Sequence, residues 1–174
     1  MQTRTQQQAK SVLAQCRVRR APVPVRRIAR LLGIVVKAEP VEDDLSGALV
    51  REGGQAVIGV NSLHHKNRQR FTIAHELGHF RLHDSVPFHM DDDFRRVDFR
   101  AKSNPHVSAQ DEIEANQFAA ELLMPEDFLR ADLDKKRGPS EPNVEALAKR
   151  YAVSRQAMEI RLRNLGYLPP VDNW

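Results

Sequence analysis

The sequence has the length and composition of one globular protein. Its 174 residues are 41% hydrophobic and 29% charged, which is enough for one full core or for a compact domain with a small appendage. It has no apolar run near the roughly 20 residues of a membrane-spanning helix, and its polar N-terminus lacks the apolar region of a signal peptide. A single cysteine, Cys16, excludes a disulfide framework and a cluster of thiolate ligands. These features argue against a membrane partner and favour the cytoplasm.

The first 40 residues form a basic segment that we expect to be mainly helical. Apolar residues recur at helical spacing over residues 5–20 and again over 24–32, and the β-branched residues of 34–38 favour a strand. This segment holds nine lysines and arginines before its first acid at Glu39. Such a charge distribution fits either a surface that meets nucleic acid or an acidic partner, or a solvated helix face.

The central segment, residues 41–135, is predicted to hold a hairpin and two long helices. Two apolar runs, 46–51 and 55–61, flank Gly53-Gly54 and predict a β-hairpin. Helical patterns follow at about 68–84 and 111–123, with a shorter one near 126–135. The polar stretch between the long helices is interpreted as a surface loop, residues 85–110, with one short strand at 96–100.

The C-terminal segment, residues 136–174, is separated by a stretch rich in charge, glycine and proline. Two short helices are predicted after it, at about 143–151 and 155–165. The sequence therefore predicts three parts with boundaries at residues 40/41 and 135/136.

One motif in the first long helix carries chemistry. His75 and His79 are four residues apart, so they lie about 40° apart on one helix face and can bind a single Zn²⁺, with Mn²⁺ as the alternative ion. Glu76 is displaced by about 100° from His75 and can act as the general base toward a metal-activated water that attacks a peptide carbonyl. This HExxH pattern predicts a metallo-endopeptidase, and an exposed pair of histidines is the alternative.

A zinc peptidase needs a third protein ligand, which leaves one coordination position open. His83 continues the series on the same helix, but three ligands on one straight helix would span about 12 Å and could not converge. The second long helix offers Glu112 with Asn116 one turn later, an arrangement in which the amide can hydrogen-bond a ligating histidine. Glu114 lies about 200° around the helix from Glu112, so only one of these glutamates can face the metal.

Together these residues resemble the ImmA/IrrE family of metallo-endopeptidases. The resemblance covers about residues 22–167 and rests on three blocks of sequence: Gly59-Val-Asn-Ser with its hairpin, Arg70-Phe-Thr-Ile-Ala-His-Glu-Leu-Gly-His, and Glu112-Ile-Glu-Ala-Asn-Gln-Phe-Ala-Ala-Glu-Leu-Leu-Met-Pro.

The resemblance implies that His75, His79 and Glu112 bind the metal and that Glu76 is the catalytic base, with Glu114 as the competitor of Glu112. It places His83 beside the ligands or at the surface. It also implies cleavage of an Xre-type transcriptional repressor in the cytoplasm, which would release genes for stress response or mobile-element transfer. An extended substrate is expected to add to strand 55–60 if that strand lies at the sheet edge.

The C-terminal helical pair resembles a helix-turn-helix. Its polar residues Arg155, Gln156, Arg161 and Arg163 are candidates for contact with nucleic acid or a partner protein. We favour a packing or protein-docking role, because many helical pairs of this shape do not bind DNA.

The predicted fold class is α+β. A small antiparallel sheet would pack on a metal-binding helix pair in a zincin-like arrangement, with the helix-turn-helix-like pair at the C-terminus. Two other functions remain open at this point. One is a DNA-binding regulator with a structural metal site, and the other is an antitoxin or adaptor that binds a partner without cutting it.

Overall fold

The computed structural model describes residues 2–41, 45–83, 88–92, 108–134 and 143–170. Within these ranges it contains four strands and seven helices, in agreement with the predicted α+β class. The strands are β1 (Ile34–Glu39), β2 (Leu45–Glu52), β3 (Gln55–Asn61) and β4 (Phe88–Asp92). The helices are α1 (Arg4–Gln15), α2 (Val25–Leu31), α3 (Lys66–Leu82), α4 (Ala109–Leu123), α5 (Glu126–Asp134), α6 (Val144–Tyr151) and α7 (Arg155–Asn164).

The sheet is mixed, and the prediction of a purely antiparallel sheet is wrong. The strand order is β1-β3-β2-β4, with β1 parallel to β3 and the other neighbours antiparallel. The chain reverses once between β1 and β2 and again at the hairpin, so β3 runs in the same direction as β1. Because β1 pairs with β3 and not with β2, a parallel pair results.

This order also places β3 between β1 and β2, so residues 55–60 do not form the edge strand that was expected to receive a substrate. Both sides of β3 are already paired within the sheet, since Val57 lies beside Val35 of β1 on one side and beside Val50 of β2 on the other. In the described part of the chain, β1 and β4 are the edge strands.

Strand β4 was not predicted, since its residues were assigned to the surface loop 85–110. It pairs antiparallel with β2, with an irregularity between Leu45 and Gly47. The short strand predicted at 96–100 lies outside the described residues.

Helices α1 and α4 both begin with a capping box. At α1 the Thr3 side chain accepts a hydrogen bond from the Gln6 backbone, and the Gln6 side chain accepts one from the Thr3 backbone. Ser108 and Asp111 make the same pair of bonds at α4. Such capping boxes satisfy N–H groups that a helix start would otherwise leave unpaired, and they fix where α4 begins.

One apolar core joins all three predicted parts of the chain. Val12 of α1, Ile73 of α3, Phe118 of α4 and Leu162 of α7 belong to the same buried cluster. Helix α3 packs against α4 and also lies against β2 and β3. The boundaries at 40/41 and 135/136 stay predictions. Among the described helices, none is both long and apolar enough to cross a bilayer.

Candidate metal centre

The two histidines of α3 face each other in the interior. His75 and His79 are 1% and 0% exposed, and their Nε2 atoms lie 3.0 Å apart. The helix repeat brings both rings to one face, as the i,i+4 spacing predicts. Two buried imidazole nitrogens that point at a common place form half of a tetrahedral metal site.

Helix α4 adds a carboxylate to this pair. Glu112 places Oε2 3.4 Å from His75 Nε2 and Oε1 3.3 Å from His79 Nε2. Ligands bonded to Zn²⁺ at about 2.0–2.1 Å in a tetrahedron lie about 3.3–3.4 Å from one another. The donor set and its spacing therefore fit a tetrahedral metal ion, and the three residues form a cluster suited to a metal. The Glu112 side chain is 38% exposed, so one side of the cluster faces solvent.

A glycine allows the two helices to come this close. A Cβ on Gly78 of α3 would lie 3.0 Å from the Ala115 Cα and 3.1 Å from its carbonyl oxygen. Ordinary side chains almost never approach backbone atoms so closely, and a backbone atom cannot rotate away. Gly78 sits between the two histidines in sequence, and Ala115 sits between Glu112 and Asn116. The two helices therefore come into close contact at the level of His75, His79 and Glu112.

Asn116 holds the ring of His75 from behind. Its Oδ1 lies 2.7 Å from His75 Nδ1, so the amide oxygen accepts the ring N–H. This contact leaves the lone pair of His75 on Nε2, the atom that faces Glu112 and His79. The structure thus brings Glu112 to the histidine pair and Asn116 to the back of it.

The predicted competitor, Glu114, lies elsewhere. Its Oε2 is 3.3 Å from Nε2 of His83, and Asp111 Oδ1 lies at 3.3 Å from the same nitrogen. The other ring nitrogen of His83, Nδ1, is 3.1 Å from Nδ1 of His79. His83 is 8% exposed, so it is a buried residue behind the histidine pair.

The two carboxylates beside His83 are held in their ionised forms. For Asp111, burial works to raise the pKa, but hydrogen bonds from Ser108 and the nearby His83 and His79 hold it below the usual value. The pKa of Glu114 is lowered by hydrogen bonds from Gln110 and then from His83, against a smaller effect of burial. Both side chains therefore act as hydrogen-bond acceptors at neutral pH.

Glu76 is fully buried and lies beside the sheet. A Cβ on Gly47 of β2 would be 3.7 Å from Glu76 Oε1 and 3.0 Å from the Gly59 carbonyl oxygen, and it would overlap the Thr72 methyl group. The bare backbone at Gly47 therefore gives β2 room to pass α3 at the level of Glu76. The sequence could have indicated the role of Gly47, because a glycine within a strand often marks a place where another element approaches the backbone closely.

Arg51 of β2 holds the end of α3, and the sequence reasoning missed it. It donates hydrogen bonds to the carbonyl oxygens of His83, His79 and Phe80 at 2.9, 3.1 and 3.0 Å. Its guanidinium carbon also lies 5.2 Å from the centroid of the Phe80 ring. A cation is favourable at a helix C-terminus, where carbonyl groups lack intrahelical partners. The periodicity of the sequence predicts contacts within an element, so it could not predict this contact between an arginine of the hairpin and α3.

The predicted contact residues of the C-terminal pair have different environments. Arg155 and Gln156 are exposed, and Arg155 pairs with Glu159 at 2.9 Å. Arg163 is half-buried and lies 3.9 Å from the same glutamate. Arg161 is 6% exposed and forms two hydrogen bonds to Glu121 of α4, at 2.8 and 2.6 Å. The guanidinium of Arg161 thus faces the core and is not at a surface for nucleic acid.

Basic residues of the N-terminal segment also divide into two kinds. Arg4 donates to the Leu82 carbonyl oxygen at 3.0 Å, and Lys10 lies 3.3 Å from an Asp127 carboxylate oxygen. Arg26 donates to Gln69 Oε1 at 3.5 Å. Most of these basic residues are exposed: Arg4, Arg17, Arg19, Arg20, Arg26, Arg27, Arg30 and Lys37. A partner for this exposed group stays a prediction.

Comparison with known proteins agrees with the geometry of this centre. A family model described as the IrrE N-terminal-like domain, of the peptidase M78 family, matches residues 29–163, which is most of the chain. The radiation response metalloprotease IrrE of Deinococcus radiodurans is 37% identical over 98 residues. That alignment covers 56% of this chain and 28% of the IrrE chain, so this protein spans well under half of that relative. The chain belongs to the IrrE N-terminal-like family of metallopeptidases.

Proposed function

We propose that this chain is a metal-dependent endopeptidase with His75, His79 and Glu112 as metal ligands and Glu76 as general base. The observation that carries the proposal is the triangle of donor atoms, 3.0–3.4 Å apart, contributed by two helices that touch through Gly78. Family membership and the similarity to a metalloprotease support it independently.

Two imidazoles and one carboxylate are the donor types of catalytic zinc sites, and Zn²⁺ is therefore the proposed ion, with Mn²⁺ as the alternative. When bound, such an ion lowers the pKa of a coordinated water and polarises the substrate carbonyl group. The partly exposed side chain of Glu112 leaves access to the cluster from solvent. A structural site would instead be closed by four protein ligands, whereas the cluster among the described residues has three.

The residues of the chain carry the proton transfers. Glu76, next to His75 in sequence and buried against β2, accepts a proton from the attacking water and returns it to the leaving amine. Asn116 orients His75 while this happens, because its amide oxygen fixes the ring from the opposite side. Burial of Glu76 lowers the competition of bulk water for its carboxylate, which favours transfer at a defined position.

The proposed substrate is a protein regulator, an Xre-type transcriptional repressor in the cytoplasm. Cleavage would remove the repressor from its DNA and start expression of stress-response or mobile-element genes. The support for this step is the resemblance of the three sequence blocks to the ImmA/IrrE family and the radiation response named for the relative. Direct binding of this chain to DNA is not part of the proposal.

The test is cleavage of a cognate repressor by the wild type and by Glu76→Gln. This change keeps the size of a buried side chain and removes the base, so we expect cleavage to fall by at least about 100-fold while one Zn²⁺ per chain stays bound. Glu126→Gln, a change in an exposed i,i+4 ion pair with Arg130, is the matched control and should cleave normally. Full cleavage by Glu76→Gln would show that the proposed mechanism is wrong.

A further inference from the structure

Behind His79 lies a chain of polar side chains that the proposed reaction does not use directly. His79 Nδ1 is 3.1 Å from His83 Nδ1, and His83 Nε2 is 3.3 Å from both Glu114 Oε2 and Asp111 Oδ1. His83 lies at the end of α3, and Asp111 and Glu114 lie in the first turns of α4. This His83 network is thus anchored on the same two helices that supply the metal ligands.

The order of donors and acceptors in the network follows from its far end. The groups that face His83 Nε2 at 3.3 Å are two carboxylate oxygens, which accept hydrogen bonds, so the hydrogen between them belongs to His83 Nε2. In a neutral imidazole the other nitrogen is then an acceptor, so His83 Nδ1 accepts from His79 Nδ1. His79 therefore carries its proton on Nδ1 and its lone pair on Nε2, the nitrogen that lies 3.3 Å from Glu112.

The contact geometry of Asp111 allows it to serve two purposes. Its Oδ2 accepts the Ser108 backbone N–H at 2.8 Å and caps α4, while Oδ1 faces His83. Glu114 is held in turn by the Gln110 amide, which donates to Oε1 at 3.2 Å and leaves Oε2 toward His83. The same set of hydrogen bonds therefore caps α4 and holds His83 against Nδ1 of His79.

The geometry points to His83 as a positioning residue that, with Glu114 and Asp111 behind it, sets the tautomer and ring orientation of His79 for metal binding. This inference rests on the proposed metal site and adds to it a role for three side chains outside the proposed ligand set. His75 has a different support, the side-chain amide of Asn116. The two histidine ligands are thus oriented by different hydrogen-bond partners, and changes behind one should leave the other in place.

The test measures Zn²⁺ affinity of the metal-free full chain by competition with a chromophoric chelator. His83→Phe keeps a buried ring but removes both hydrogen bonds, whereas His83→Gln restores the pattern, because its carbonyl oxygen accepts and its amide donates. Glu114→Gln replaces the carboxylate, on a side chain that is 27% exposed, by an amide whose uncharged oxygen is a weaker acceptor. Glu126→Gln serves again as the matched control, since it removes a carboxylate from a helix outside the network.

Loss of an orienting partner of a metal-bound histidine commonly lowers metal affinity by about 10–100-fold, and we expect this for His83→Phe. His83→Gln should recover most of the affinity, Glu114→Gln should be intermediate, and the control should match the wild type. A melting temperature of the metal-free His83→Phe chain close to that of the wild type would show that the loss is not a general loss of folding.

Other results would overturn the inference and separate it from the proposed function. If the wild type binds Zn²⁺ and His83→Phe binds it equally well, the network does not orient His79 although the metal site stands. If His83→Phe and His83→Gln lose affinity to the same extent, the hydrogen-bond pattern is not the cause. A wild-type chain that binds no Zn²⁺ would overturn both the site and the network.

Discussion

Replacement of Gly78 by alanine should move the helix that carries Glu112. The added Cβ would lie 3.0 Å from the Ala115 Cα, 3.1 Å from its carbonyl oxygen and 3.3 Å from the Phe118 Cβ. Carbon atoms in contact are about 3.5–4.0 Å apart, so α4 must retreat by about 0.5 Å or more. Because two of the three neighbours are backbone atoms, rotation of a side chain cannot relieve the overlap.

The effect on stability should be small compared with the effect on metal binding. Overpacking costs about 1–3 kcal/mol, while exchange of a helical glycine for alanine returns about 1 kcal/mol, so the free energy of unfolding should fall by about 0–2 kcal/mol. Glu112 moves with α4, and its oxygens no longer lie at the 3.3–3.4 Å spacing from the histidine nitrogens. We expect Zn²⁺ affinity to fall by about tenfold or more, since metal geometry tolerates deviations of only about 0.2 Å.

The assay compares Gly78→Ala with a matched glycine-to-alanine change at Gly59 of β3. A Cβ at Gly59 would meet only the Ala48 carbonyl oxygen, at the ordinary distance of 4.0 Å. Chelator competition gives the Zn²⁺ affinity, and urea unfolding of the metal-free chain gives the stability. Gly59→Ala should keep wild-type affinity. Wild-type affinity in Gly78→Ala would refute the argument that helix contact at this residue sets the ligand spacing.

Two arginine substitutions test the supports around the site. Arg51→Met removes three hydrogen bonds to the carbonyl oxygens at the end of α3, so the free energy of unfolding should fall by about 1.5–3 kcal/mol. Arg161→Met leaves the largely buried Glu121 carboxylate without its arginine and should cost about 3 kcal/mol. The control for both is Arg155→Met, which removes an exposed ion pair and should change stability by less than about 1 kcal/mol. Denaturant unfolding measures all three, and equal stabilities of the three variants would contradict these assignments.

Local patterns were sufficient to predict most of the helices and the hairpin. The α3 pattern predicted the positions of His75 and His79 because a helix repeats every 3.6 residues, and this repeat does not depend on the rest of the fold. The pairing of Glu112 with Asn116 followed from the same repeat in α4. The structure brings Glu112 and Asn116 to the two histidines, although their roles in binding and catalysis stay predictions.

Contacts between elements that are distant in sequence could not be predicted from local patterns. In the sheet β4 pairs with β2, and β1 pairs with the other strand of the hairpin, β3. The periodicity of the sequence does not indicate which hairpin strand each of them joins. Arg161 has the same local pattern as a solvent-facing arginine, but α7 turns it toward Glu121 of α4. The network of His83 was missed for a similar reason, because Asp111 and Glu114 reach it only through the packing of α3 on α4.

The buried ion pair between Arg161 and Glu121 has a mechanical consequence. It joins α7 to the C-terminal half of α4, the helix whose first turns hold Asp111, Glu112 and Glu114. A partner that displaced α7 would have to separate two charges in the core or carry α4 along with it. A displacement of α7 is therefore coupled through this ion pair to α4, the helix that carries Glu112.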